Sequence, residues 1–197
     1  MSSQVNFFNS VAHKWDSMIV VNEEKINYAL DRTGLSEESS ILDVGTGTGV
    51  MIPFLLNRIG LKGKITAVDI AENMLDVAKE KFQGEDRIEF LNINIEEEKV
   101  EETFDLIICY SVFPHFTNKT ESIKKLIDNN LKKDGKLLIF HSQSKEKINS
   151  IHQKTDAVVA EDKLIDLDRQ RKLFENEGMK VSMGIDNEEM YLIIIEK

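Results

Sequence analysis

The sequence predicts an α/β protein: a doubly wound, seven-stranded, mostly parallel sheet with helices on both faces, one antiparallel strand at or near an edge, and a small helical segment at the N-terminus. Three observations carry this. Short apolar runs alternate with helix-period segments, and strand–helix alternation implies parallel pairing through right-handed crossovers. A glycine-rich turn, Gly45-Thr46-Gly47-Thr48-Gly49, leaves the first run and enters a helix. The last two runs are joined by Asp186-Asn187-Glu188-Glu189, enough for an antiparallel hairpin but too short for a parallel crossover.

Each element has its own signal. Residues 1–20 are polar with scattered aromatics, and 23–33 read as a helix stopped by Gly34. Ser40–Gly45 is a buried strand. Val50–Ile59 is apolar enough for a packed helix, with Pro53 tolerated near its first turn. Lys64–Asp69 is a second strand, and Ala71–Phe82 sets Met74, Leu75, Ala78 and Phe82 on one helical face. Arg87–Asn92 alternates as a third strand, and Phe104–Tyr110 reads as a fully buried fourth. Lys119–Leu131 has helical spacing, with Gly135 as a stop signal before a fifth strand, Lys136–His141. Residues 145–178 are mostly helical with a polar break near 155–162. Met179–Ile185 and Met190–Glu196 close the sheet. The expected layout is one domain, with 1–36 as the lid segment, 37–143 as a cofactor-binding core, and 144–197 as substrate-side helices and closing hairpin.

Composition bounds the partners. The 197 residues are 41% apolar and 30% charged, an ordinary globular balance. A net charge of −10 argues against phosphate backbones and anionic membranes, so nucleic acid and membrane are not expected partners. One cysteine, Cys109, excludes an intrachain disulfide and a Cys-rich zinc site. The first residues lack the basic start and apolar core of a signal peptide, and no apolar run approaches a membrane span. A cytoplasmic protein is expected.

The glycine turn is the sharpest chemical signal. Glycines there let the backbone turn tightly and come close to a ligand. The helix that follows offers unpaired N–H groups, and ligands of doubly wound sheets bind beyond the carboxyl ends of the strands. The spacing is G-x-G-x-G, not the dinucleotide G-x-G-x-x-G, and no Gly-Lys-Ser/Thr follows, which excludes a Walker loop. Asp69 ends the second strand and offers a carboxylate to both hydroxyls of a ribose, which suits any adenosine cofactor.

Ile41-Leu42-Asp43-Val44-Gly45-Thr46-Gly47-Thr48-Gly49 resembles motif I of the class I, Rossmann-like S-adenosylmethionine-dependent methyltransferases. Ala67-Val68-Asp69-Ile70 with Asn73-Met74-Leu75 resembles that family's second motif. Phe104–Ile108 resembles its fourth strand, and Leu131–Leu138 the turn before its fifth. The resemblance implies S-adenosylmethionine as cofactor and S-adenosylhomocysteine as product. It places Gly45, Thr46, Gly47 and Gly49 under the methionine part, with Asp43 holding the loop and the amino group. It places Asp69 on the ribose, Ile70 and Met74 on the adenine, and the backbone of Asn94 and Ile95 at the adenine edge. Cys109, Tyr110 and Ser111 would line the methionine end and open onto the substrate. Asn94 stands where the family often has an acid, and Asp134-Gly135 replaces its usual Pro-Gly.

Methyl transfer needs alignment of the reacting atoms and, for a protonated acceptor, a base. His115 lies just past the fourth strand and His141 ends the fifth, and both are candidate catalytic residues. His152 follows on the next helix, so the three histidines are expected over one cleft, as polar lining or, less simply, as a metal site. Phe8 and Trp15 sit in an otherwise polar segment that resembles the lids of this family, where the last strand of the sheet is also the antiparallel one; plain packing on the sheet is the alternative. Glu96–Glu102 reads as a solvated acidic face. The expected activity is methyl transfer to a small-molecule acceptor. A non-catalytic cofactor- or metal-binding module and another adenosine-cofactor alkyl transferase remain open alternatives.

Overall fold

The computed structural model describes residues 3–155, 159 and 162–197. Its single sheet contains β1 (Ser40–Val44), β2 (Lys64–Asp69), β3 (Ile88–Asn92), β4 (Phe104–Tyr110), β5 (Leu131–His141), β6 (Lys180–Asp186) and β7 (Tyr191–Glu196). Their spatial order is β3-β2-β1-β4-β5-β7-β6. β7 runs antiparallel to both neighbours, and the pairings among β1 to β5 are parallel. The expected sheet is therefore present, with its antiparallel strand inserted one place in from the edge.

The helices are α1 (Ser3–Val11), α2 (Trp15–Met18), α3 (Glu23–Leu30), α4 (Ile52–Leu56), α5 (Glu72–Lys81), α6 (Lys119–Asn130), α7 (Lys145–Thr155) and α8 (Leu167–Asn176). A 3-10 turn, Ala12–Lys14, joins α1 to α2. Asn22 caps α3, its Oδ1 accepting from the Lys25 amide at 3.0 Å. Period-2 alternation splits the apolar residues of the sheet between two faces. Ile41, Ile65, Leu106, Ile108, Leu138 and Phe140 meet α3 and α4 on one side. Leu42, Ile107, Leu137, Ile139 and Ile193 meet α6 and α8 on the other.

Two boundaries in particular differ from expectation. α4 stops at Leu56, well short of Ile59, because the chain tightens into i→i−3 bonds such as Arg58 N–H to Leu55 O at 2.9 Å. β5 begins at Leu131 rather than Lys136. Leu131 pairs with Phe104, Asp134 turns the chain at φ +66°, and pairing resumes at Leu106 and Lys136. Residues 145–178, expected to be mostly helical with a polar break, hold two helices, and Lys163–Asp166 between them is irregular. Most of the polar break expected near 155–162 lies outside the described residues.

Connections from β1 lead outward through β2 to β3, and those from β4 outward through β5. The direction of winding switches between β1 and β4, so the crevice beyond Val44 and Tyr110 is where such a sheet takes a ligand.

Candidate active site

The glycine turn lies at that switch. Gly45, Gly47 and Gly49 all have positive φ, at +68°, +57° and +81°. Gly45 is needed twice over: a Cβ there would lie 2.4 Å from Val112 Cγ2. At Gly47 the nearest atom to such a Cβ is Trp15 Nε1 at 3.9 Å, so this backbone faces open space roofed by an indole. The turn is tied to β2 by Gly45 N–H and Thr46 N–H, which both donate to Val68 O at 2.9 and 3.0 Å.

Two carboxylates hold the turn. Asp43 is fully buried, and its Oδ2 accepts from Thr46 Oγ1 at 2.7 Å. Burial pushes its pKa up to about 7, resisted by the Thr46 bond and reinforced by the charge of Asp69. Asp69 is partly exposed at the end of β2. Its Oδ2 accepts from the Gly47 amide and its Oδ1 from the Ala71 amide, each at 2.8 Å. Desolvation raises its pKa, and these amide bonds and His115 work against that rise. Each oxygen keeps a lone pair, so the carboxylate can still accept from a ribose.

The N-terminal segment covers this end of the site. Phe8, Val11, Ala12 and Trp15 pack on Ala71 and Met74, and Met74 is buried. Polar contacts hold the segment at its rim. Asn9 Oδ1 accepts from the Asn73 amide at 2.9 Å, and Asp16 accepts from Thr48 Oγ1 at 2.6 Å while pairing with Lys81 at 2.5 Å. Ile70 is exposed. Asn94 spends its side-chain oxygen on the Glu96 amide at 3.1 Å, a local turn bond, and its own amide on Glu98. Ile95 packs against the main core.

The other end of the crevice is built after β4. Cys109 does not reach the opening, contrary to expectation. Strand alternation turns its side chain into the core, where burial pushes the thiol pKa up. Tyr110 points to the opposite face, its hydroxyl 3.1 Å from Ser142 Oγ. Ser111 turns the chain at φ +58°, its amide donating to Phe140 O. Phe113 and Phe116, both buried, anchor the 3-10 turn Phe113–His115 that carries His115.

Glu96 is a second correction. It was expected on a solvated acidic face, yet it reaches across to the N-terminus of α6. There it accepts from the Thr117 and Asn118 amides and from Ser122 Oγ at 2.6 Å. These bonds outweigh its burial and hold its pKa below the usual carboxylate range. The cap fixes the loop bearing His115.

Two of the three histidines expected over the cleft, His115 and His152, meet there, whereas His141 is buried. The rings of His115 and His152 lie 5.0 Å apart, and the edge of Phe8 meets His115 at 5.2 Å. Asp162, which the sequence reading missed, joins them. Its Oδ2 lies 2.7 Å from His115 Nδ1, its carbonyl oxygen 2.5 Å from His152 Nδ1, and Gln4 Nε2 donates to Oδ2 at 3.1 Å. Asp162 lies on the irregular segment before α8, far from any recognisable motif. His141 is 1% exposed, and neither ring nitrogen has a partner among the described residues. Burial, with His115 and His152 nearby, pushes its pKa down to about 3. Tyr191, cross-strand from His141, likewise buries an unpartnered hydroxyl. Among the described residues, no three His, Cys, Asp or Glu groups are arranged to hold a metal ion.

Comparison with known proteins agrees with this geometry. Residues 41–135 match the methyltransferase domain family. The chain is 36% identical over 132 residues to a malonyl-(acyl-carrier protein) O-methyltransferase of Acetivibrio thermocellus, covering 66% of this chain and 46% of that one. It is 27% identical over 142 residues to a ubiquinone/menaquinone biosynthesis C-methyltransferase of Idiomarina loihiensis, covering 68% and 56%. The chain spans about half the length of the curated relatives it matches. Among solved structures, a SAM-dependent methyltransferase from Aquifex aeolicus superposes with a TM-score of 0.73 at 21% identity, over 95% of this chain and 97% of that one. DhpI, in its complex with SAM and HEP, superposes with a TM-score of 0.75 at 15% identity, over 99% of this chain and 96% of that one. Motif, strand order and these likenesses agree: the chain belongs to the class I, Rossmann-like S-adenosylmethionine-dependent methyltransferases.

Proposed function

We propose that the protein transfers a methyl group from S-adenosylmethionine to a small-molecule acceptor. The observation that carries this is Asp69. Its carboxylate closes the end of β2 while gripping the Gly47 amide, which joins a ribose acceptor to an open glycine cradle. When bound, the cofactor supplies an electrophilic methyl group on a sulfonium.

Asp69 holds the ribose hydroxyls. The Gly45–Gly47 backbone passes beneath the methionine part, and Asp43 stabilises its ammonium. Phe8 and Trp15 close over the site and exclude water from it. The charge of −10 disfavours nucleic acid as the acceptor.

Calorimetric titration with S-adenosylmethionine tests the reading. We expect one-to-one binding at micromolar affinity in the full chain and its loss in Asp69→Ala. A wild-type protein that binds neither S-adenosylmethionine nor S-adenosylhomocysteine would refute it.

A further inference from the structure

We propose that His115 and Asp162 form a base dyad, and that the acceptor is a small aromatic compound carrying an acidic hydroxyl, a phenol. The inference rests on the function proposed above and extends it to the acceptor.

The geometry has three parts. First, Asp162 Oδ2 lies 2.7 Å from His115 Nδ1. A carboxylate there fixes the Nδ1–H tautomer and leaves Nε2 with its lone pair free to take a proton. Second, the dyad is sheltered but not sealed. The His115 side chain is 14% exposed and that of Asp162 21%. His141, by contrast, is buried on both nitrogens and cannot exchange a proton with solvent in this arrangement. Third, aromatic rings gather beside His115. Phe8 meets the imidazole edge-on, and Trp15 meets Phe8 at 5.7 Å. A flat acceptor ring would pack favourably against such rings.

The titratable groups around His115 come from several elements. Asp162 precedes α8, His152 is on α7, His141 ends β5 and Asp69 ends β2. Lys119 on α6 interacts with Asp162. A carboxylate acceptor would face Asp162 and Asp69, two like charges, and needs no base. A phenol is neutral on entry and must lose its proton to react. In the step proposed, the acceptor O–H bond breaks and its proton goes to His115 Nε2. The oxygen pair forms the new O–CH3 bond while the methyl–sulfur bond breaks and its electron pair returns to sulfur. Asp162 then faces an imidazolium, whose proton leaves to solvent.

Asp162 is a positioning residue, and Gln4 shares its Oδ2, so a latch between α1 and this loop is the competing role. Two measurements separate the roles. Histidine-selective 15N NMR of the protein without cofactor should show His115 as the Nδ1–H tautomer at pH 8, with that population falling in Asp162→Asn. Methyl transfer to a panel of phenols and hydroxybenzoates should fall about a hundredfold in kcat in Asp162→Asn, with S-adenosylmethionine affinity within twofold of wild type. Asp162→Glu should recover part of the rate. The acid limb of the pH–rate profile should disappear in His115→Gln and persist in Gln4→Ala.

An Nε2–H tautomer in the wild type overturns the dyad, as does an unchanged kcat in Asp162→Asn. Transfer to short acyl carboxylates but not to phenols overturns the acceptor class. Failure of the wild type to bind S-adenosylmethionine falls on the proposed function instead, and the tautomer measurement still decides the dyad.

Discussion

At the scale of single residues, the site holds two buried titratable groups shifted in opposite senses. Asp43 has a folded pKa of about 7, well above the unfolded value near 3.9, because burial disfavours its charge. Its contribution to stability is therefore complete below about pH 4 and is lost as the pH rises through 7. His141 is shifted down to about 3 from an unfolded value near 6.5. Its contribution is present above pH 6.5 and is lost as the pH falls towards 3. Thermal unfolding across pH 4 to 8 checks both. Asp43→Asn keeps an acceptor for Thr46 and should be more stable than wild type at pH 8, by a few kcal/mol at most, with the gain vanishing near pH 4. His141→Phe replaces two buried nitrogens that have no partner among the described residues with carbon and should blunt the loss of stability below pH 6. A wild-type stability flat across this range would contradict both assignments.

At the scale of elements, motifs and their neighbours differ in how far they can be read from sequence. The glycine turn and Asp69 were legible because their chemistry is local: positive φ at Gly45 and a carboxylate at a strand end are set within a few residues. Glu96 and Asp162 were not. Each acts across a long stretch of chain, Glu96 on α6 and Asp162 on His115, and no spacing rule announces such a contact. The Cys109 assignment failed for a simpler reason, since alternate residues of β4 face opposite sides and only its end reaches the crevice. The N-terminal segment was legible in composition alone. Its aromatics cover Met74, yet much of its tethering is polar and at the rim. Asp16→Ala removes the bonds to Thr48 and Lys81 on a half-exposed rim, so global stability should fall by no more than about 1 kcal/mol. Amide hydrogen exchange over residues 3–18 should nevertheless speed up about fivefold at most, while the sheet is unchanged. Equal protection in the variant would mean that apolar packing, not the rim, holds the segment down.

At the scale of the molecule, all seven strands were foreseeable from alternation and hairpin length, because parallel pairing and crossover handedness leave few topologies. The starts of β5 and the length of α4 were not, since a bulge at Asp134 and a tightened turn after Leu56 answer to neighbours rather than to local periodicity. Deleting residues 187–197 strips β7 from between β5 and β6 and should yield aggregated protein on gel filtration, whereas a two-state monomer would show that β5 tolerates a bare edge. The inserted β7 also has a consequence for biosynthesis. The chain emerges from the ribosome with β5 complete, then two helices and β6, before the strand that belongs beside β5 exists. Through that interval the most apolar half of the sheet offers an unpaired edge to anything nearby, including β6, which could pair there prematurely. The order of synthesis thus sets a waiting period, and the nascent protein's dependence on chaperones should be greatest in it.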